Sequence, residues 1–247
     1  MTTSDLTAQF PVESQTSDND KAFILGAMEM VRSAGDAYDY LEIGSFLGGS
    51  LVPFLRDASC RHIVSIDDRE KIQPDERGAS FDYTRITTQS MLDKLHNAGV
   101  NTAKLHTFDG SIDDWKPDAA RFDLAFIDGE HTDVACFRDC IWTLPVMKEN
   151  AIVMFHDSTL IHKALRLLLV YLKKQSVEFT FVKRRDAEMS CLIFGALNVL
   201  DAEQFLGPIQ DTMEFFGQAE TNLLTMQVRN RVDINFTIKA PPVFKMK

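Results

Sequence analysis

Short runs of β-forming residues alternate along this chain with stretches whose apolar positions recur every third or fourth residue. The runs at 38–43, 62–67, 103–108, 122–128 and 150–155 are read as strands, because apolar and β-branched residues dominate them. The run at 122–128 (FDLAFID) is the most apolar, as a central strand covered on both faces requires. Between the runs lie helical periods. At 18–33 the stripe is Phe23, Ile24, Ala27, Met28 and Val31, with Asp18 or Asn19 as cap. A helix start is expected over 50–55, and a further helix over 86–97, where Gly99 stops the pattern. Over 133–144, Val134, Phe137, Ile141 and Leu144 share one face and Pro145 ends it; over 160–174, Leu165, Leu168, Leu169 and Leu172 form the buried side. Two last strands, 178–183 and 189–194, flank a polar turn and form a hairpin. The pattern predicts an α/β fold: a mostly parallel, seven-stranded sheet closed by a C-terminal antiparallel hairpin, with helices on both faces.

Three segments fall outside this alternation. Residues 1–17 are polar and read as a flexible arm; the core domain is 18–200; residues 69–90 are a polar insert with the character of a substrate cover. In the tail, 201–247, Ile209, Met213, Phe216, Leu223 and Met226 fit one helix face, and the segment after Asn230 reads as extended through Pro241 and Pro242. That stripe is expected to pack on the core or on a second subunit, giving a homodimer.

Composition narrows the partners. A 247-residue chain, 45% hydrophobic, can bury one full α/β core. A formal net charge of -10 argues against a nucleic-acid surface, which needs a positive footprint, and favours a small-molecule substrate. Cys60, Cys136, Cys140 and Cys191 form no CxxC pair; Cys136 and Cys140, four apart on one helix, are read as packing. No segment reaches the ~18 apolar residues of a membrane span, and no basic-then-apolar leader opens the chain, so a cytoplasmic protein without membrane contact is expected.

The informative stretch is 38–55, YDYLEIGSFLGGSLVPFL, a strand, a small-residue loop and a helix start. A dinucleotide fingerprint needs glycine two positions after the first, and here that position is Phe46. The pattern is instead E-x-G-x-x-x-G-x-S, through Glu42, Gly44, Gly48 and Ser50, and a carboxylate there suits a cationic or hydroxyl-bearing ligand better than a phosphate. Asp67, with Asp68 as its neighbour, ends the second strand about 20 residues later, where an acid can accept both ribose hydroxyl protons. These residues resemble the first motif of the class I S-adenosylmethionine-dependent methyltransferases, whose fold is Rossmann-like with a reversed last strand. The resemblance implies S-adenosylmethionine as cofactor, met by Glu42, Gly44, Ser45, Gly48, Ser50, Asp67 and Asp128, with Asp109, Gly110 and Ser111 near its adenine.

In a parallel sheet ligands collect at the carboxyl ends of the strands, where this chain delivers Asp128, His131, His156 and Asp157. FIDGEH followed by FHDS resembles a branch that includes the macrocin-type small-molecule O-methyltransferases; the resemblance covers residues 38–194. It implies a divalent metal, magnesium or manganese, on Asp128, His156 and Asp157; carboxylates suit magnesium, whereas the histidine leaves room for manganese, zinc or no metal. The implied reaction is in-line methyl transfer to a hydroxyl of a sugar or natural product, with His131 or His156 as base and Asp128 positioning the oxygen. A catalytically inactive cofactor-binding scaffold is the alternative, and Phe46 and the final hairpin argue against a nicotinamide oxidoreductase.

Overall fold

The computed structural model describes residues 3–116 and 121–234. In chain order the elements are α1 (Thr3–Gln9), α2 (Asp18–Ala34), β1 (Tyr38–Ile43), α3 (Val52–Arg56), β2 (Cys60–Asp67), β3 (Ile72–Pro74), β4 (Ser80–Asp82), α4 (Thr88–Asn97) and β5 (Leu105–Asp109). There follow β6 (Phe122–Ile127), α5 (Asp133–Thr143), β7 (Met147–Phe155), α6 (His162–Lys174), β8 (Phe179–Arg184), β9 (Ser190–Phe194), α7 (Ala202–Leu206), β10 (Ile209–Gln210) and α8 (Thr212–Ile234).

The main sheet has the order β10-β8-β9-β7-β6-β1-β2-β5, eight strands where the sequence pattern predicts seven. The extra strand is β10, whose two residues pair antiparallel with Lys183 and Arg184 of β8; so short a run leaves no period to read. The inner strands β7, β6, β1, β2 and β5 are parallel, and β9 runs antiparallel between β7 and β8, which is the reversed last strand expected. Strand order reverses direction at β1, with β2 on one side and β6 on the other. That is the switch point at which a parallel sheet opens a crevice at its carboxyl edge.

Side chains alternate across the sheet and feed two cores. On one face Tyr40, Leu124, Phe126 and Met154 pack with Phe23, Phe54 and Met91; on the other Leu41, Ala125 and Val153 pack with Cys136, Leu165 and Phe215. Phe122 lies on the second face although Leu124 lies on the first, because the β6–β7 register shifts between them.

Several elements sit differently from the sequence reading. The buried side of α5 is Ala135, Cys136, Asp139, Cys140 and Thr143, and Val134 is 81% exposed. The small residues let α5 approach closely, while Phe137 turns edge-on to Tyr171 of α6; the stripe is displaced because small and polar residues carry it. In the tail Ile209 belongs to β10 and Met213 is exposed, whereas Phe215, Phe216, Ala219 and Leu223 are buried in the chain's own second core. Of the expected stripe, Phe216 and Leu223 thus pack on the core, while Met213 does not. Helix α8 continues through residues 231–234, and the extended end with Pro241 and Pro242 lies outside the described residues. The expected arm contains α1, and Leu6, Phe10 and Val12 are buried in the first core. Its following segment crosses the glycine loop so closely that a Cβ at Gly49 would lie 2.5 Å from the Glu13 carbonyl oxygen. Helix α2 is capped by Ser17, one residue before the expected cap, in a reciprocal capping box with Asp20. Among the described residues no helix is long and apolar enough to cross a membrane.

Gly26, in the middle of α2, marks a backbone crossing: a Cβ there would lie 2.0 Å from the Phe205 carbonyl oxygen of α7. Helix propensity alone would make Gly26→Ala stabilising by about 1 kcal/mol. The overlap with backbone predicts the opposite sign, a loss of about 1–3 kcal/mol in urea denaturation; a gain would contradict the packing of α2 on α7.

Candidate functional site

At the switch point the chain leaves β1 through Gly44, whose φ of +83° is left-handed. A Cβ at Gly44 would lie 2.1 Å from the Asp128 carbonyl oxygen, and Asp128 N–H donates to the Ile43 carbonyl. Glycine is required here by the crossing of two backbones as well as by any ligand. Phe46 follows with φ of +47°, an unusual value for a bulky residue. What holds it is Asp67: its Oδ2 accepts from the Ser45 and Phe46 N–H groups at 2.9 and 3.0 Å. Burial pushes the Asp67 carboxyl up, against the opposing charge of Arg69.

Arg69, which the sequence places only within the polar insert, holds the loop together. Its side chain is 4% exposed and reaches Asp67 (3.0 Å), the Phe46 carbonyl (2.7 Å), Ser45 Oγ (2.7 Å) and Thr88 Oγ1 (3.1 Å). It stitches the loop to the tip of β2 and the start of α4, and only its position just beyond a strand-end acid pair could have signalled this.

Of the loop residues expected to meet the cofactor, Gly44 lines the cleft, and Ser45 lies under it, bonded to Ser65 and Arg69. Gly48 faces Met91 and Leu95 of α4, and Ser50 donates to Glu42 at 2.6 Å. Glu42 is fully buried and also accepts from the Tyr40 hydroxyl at 2.5 Å, so it braces the loop from behind. Burial, with the nearby charges of Asp128 and Asp67, pushes its carboxyl up to about 8 despite the two hydroxyl donors. Asp109, Gly110 and Ser111 lie at the tip of β5, and Gly110 and Ser111 line an adjoining recess with Asp67, Asp68 and Ile112. Asp109 instead accepts from Thr88 and lies 3.5 Å from Arg69.

Across the cleft the tips of β6 and β7 carry a ladder of carboxylates and imidazoles. His131 Nδ1 lies 2.9 Å from Asp157 Oδ2 and its Nε2 3.2 Å from Asp128 Oδ1; His156 Nδ1 lies 3.0 Å from the same Asp128 oxygen and its Nε2 3.6 Å from Asp20 Oδ2. Although close, His156 Nδ1 is not aligned for a hydrogen bond with Asp128, so this buried nitrogen keeps an unused bonding direction. Burial opposes charge on both imidazoles, but the carboxylates win: His131 rises to about 9 and His156 well above its ordinary value. Burial likewise works against the carboxylates, yet the histidines hold Asp128 below the usual range and Asp157 down to about 2. The carboxylates thus draw both imidazoles toward the protonated, donating form, and to act as base or ligand each must first give up that proton.

Asp128, His131 and His156 bring one ligand atom each within 4.8 Å of one another. Asp157 of the expected metal set lies outside this group; with φ of +47°, it turns back to hold His131. Asp20 was not foreseen, because only docking of α2 beside the β9 hairpin brings it here; it also accepts the Glu188 N–H at 2.9 Å. Gln15, Phe46, Gln73, Tyr83 and Ile86 complete the cleft wall, with Tyr83 Oη donating to Gln15 at 3.1 Å across its mouth.

Because Glu42 keeps its proton to about 8 in the folded protein, and to about 4.5 when unfolded, the native state holds the extra proton between those values. Stability from this group is complete below the lower value and is lost as pH rises through the window, by at most about 1.4 kcal/mol per pH unit. Glu42→Gln is therefore expected to flatten the fall of stability between pH 5 and pH 8 in denaturant titrations. Parallel curves for variant and parent would contradict the assignment.

Residues 41–158 match the family described as a methyltransferase domain, a span holding Glu42, Gly44, Asp67, Asp128, His131 and His156. A comparison with curated proteins gives no match. Among solved structures the fold is similar to the O-methyltransferase TomG from Streptomyces achromogenes, solved in complex with S-adenosylmethionine, at 16% identity over 78% of this chain and 87% of that one, with a TM-score of 0.51. It is also similar to the O-methyltransferase NovP, at 14% identity over 69% of this chain and 77% of that one, with a TM-score of 0.56. Residues 41–158 thus match a methyltransferase domain, carried on an α/β fold similar to that of solved O-methyltransferases.

Proposed function

We propose that this enzyme methylates a hydroxyl oxygen of a small molecule, a sugar or natural-product hydroxyl, with S-adenosylmethionine bound along the β1–β2 side of the cleft and a divalent cation at the acid–imidazole ladder. The observation that carries the reading is one juxtaposition: Gly44 and Asp67 share a cleft with Asp128 and His131. Support comes also from the fold's likeness to TomG, an O-methyltransferase involved in tomaymycin synthesis, and from FIDGEH and FHDS, which resemble motifs of the macrocin-type enzymes.

The residues present fit a cation. Asp128, His131 and His156 converge, and the unused direction of buried His156 Nδ1 is what a ligand nitrogen needs. Two imidazoles and one carboxylate suit manganese or zinc better than magnesium. When bound, such an ion would lower the pKa of an acceptor hydroxyl; S-adenosylmethionine would supply the methyl group. The chain's own residues do the rest. The left-handed turn at Gly44 keeps side chains out of the crevice, and Asp67, fixed by two loop amides, is set to receive ribose hydroxyls. Asp157 and Asp20 orient His131 and His156 from behind, as outer carboxylates orient ligand imidazoles. Tyr83 and Gln15 restrict water at the mouth.

Asp128→Asn is expected to lower methyl transfer to a panel of hydroxyl compounds by about 100-fold or more, and to weaken manganese binding, while S-adenosylhomocysteine affinity by calorimetry stays within about threefold. Full turnover in the variant, or no heat with S-adenosylhomocysteine in the parent, overturns the reading.

A further inference from the structure

The hairpin β3–β4 covers the cleft yet has little to hold it in place. Each strand is three residues long and mostly exposed, and the pair forms its own small sheet, separate from the main one. An isolated two-stranded hairpin is marginal in water. Its position must come from contacts at its ends. At the base, Gln73 lines the cleft together with Tyr83, which follows β4, and Tyr83 also bonds Gln15. At the tip, Glu76 N–H donates to the His131 carbonyl at 3.1 Å, and the Glu76 carboxylate accepts from Asp133 N–H at 2.8 Å.

The other side of the tip is held from the far end of the chain. Gln227 Nε2 donates to the Glu76 carbonyl and Asn230 Nδ2 to the Arg77 carbonyl, both at 2.7 Å. These two amides lie three apart on α8, hence on one face of the helix. Helix α8 itself is fixed by its buried residues Phe215, Phe216, Ala219 and Leu223, and by Glu220, which lies 3.0 Å from His162 of α6. A well-anchored element thus grips a weakly anchored one through side-chain bonds to backbone carbonyls. The gripped residues also touch the loop that carries His131.

We propose that the C-terminal helix is the latch of the active-site cover: Gln227 and Asn230 are positioning residues that hold the β3–β4 hairpin down over the cofactor cleft and against the His131 loop. Breaking these two bonds leaves Gly44, Asp67, Asp128 and His131 in place and frees the cover, so that ligand escapes faster. The latch lies outside the span 41–158, so the matched domain depends on the tail for closure. The ligand arm of the test rests on the cofactor reading given above, and the exchange arm does not.

The experiment uses the full chain and compares the parent with Gln227→Ala/Asn230→Ala, with Gln227→Glu, which keeps the bulk and removes the donor, and with Thr225→Ala as a control on the same helix. Hydrogen–deuterium exchange of residues 72–83 is expected to quicken about tenfold in the double variant, and by less in Gln227→Glu. Exchange in α8 around Phe216 to Leu223 is expected to stay unchanged. Dissociation of S-adenosylhomocysteine, followed by stopped flow, is expected to quicken by a similar factor while its association rate holds. Unchanged exchange at 72–83 in the double variant overturns the latch, as does equal loosening in Thr225→Ala, which would show a general effect on the helix. Failure of the parent to bind S-adenosylhomocysteine overturns the cofactor reading instead, with the exchange result still deciding the latch.

Discussion

The ladder Asp157, His131, Asp128, His156 and Asp20 is the constraint on which the rest of this molecule turns. Any one of these groups buried alone as a charge would be costly, and removing a partner from a buried pair commonly destabilises by about 3–5 kcal/mol. The groups come from the tips of β6 and β7 and the first turn of α2, so their mutual neutralisation fixes how α2 meets the sheet. It also fixes the site's charge. The three carboxylates are held below their usual range and the two imidazoles above theirs, and because carboxylates outnumber imidazoles the mostly buried cluster is negative. Such a cluster favours a cation over an anion at the cleft.

Backbone geometry around the ladder is strained in the same places. Gly44 passes against the Asp128 carbonyl with no room for a side chain, and Phe46 and Asp157, on opposite sides of the cleft, are both held at positive φ. Each departure has a visible compensation: two N–H groups on Asp67 for Phe46, and the 2.9 Å contact with His131 for Asp157. Strain that the surroundings over-determine in this way is characteristic of functional sites.

Much of this was legible in the sequence, and for a definite reason. Asp67, Asp128, His131, His156 and Asp157 follow strands whose apolar runs are easy to read, and parallel topology sends all strand ends to one edge. What escaped depends on docking. Asp20 reads as an ordinary capping residue, Arg69 as a polar loop residue, and Gln227 and Asn230 as solvated positions of a tail helix; none carries a local signal of its distant partner. The face of α5 was misplaced for another reason. Its contact with the sheet is made by Ala, Cys, Asp and Thr, which an apolar period does not register. Likewise Glu42 was read as a ligand contact from its place in the motif, whereas Tyr40 and Ser50, two and eight residues away, occupy both of its oxygens.

The position of Glu42 also has an electrostatic consequence. A carboxyl with two hydroxyl donors would ordinarily titrate low, yet burial and the charges of Asp128 and Asp67 hold it at about 8. The same negative potential that keeps Glu42 protonated acts on anything bound in the cleft beside Asp67 and Asp128. A sulfonium or a divalent ion there would relieve it, and so favour the carboxylate form of Glu42. Such coupling is reciprocal, so release of the Glu42 proton must in turn strengthen the hold on a cation. Glu42 therefore acts on the cleft from behind the loop: it braces that loop through Tyr40 and Ser50, and its titration is coupled to the charge in front of it.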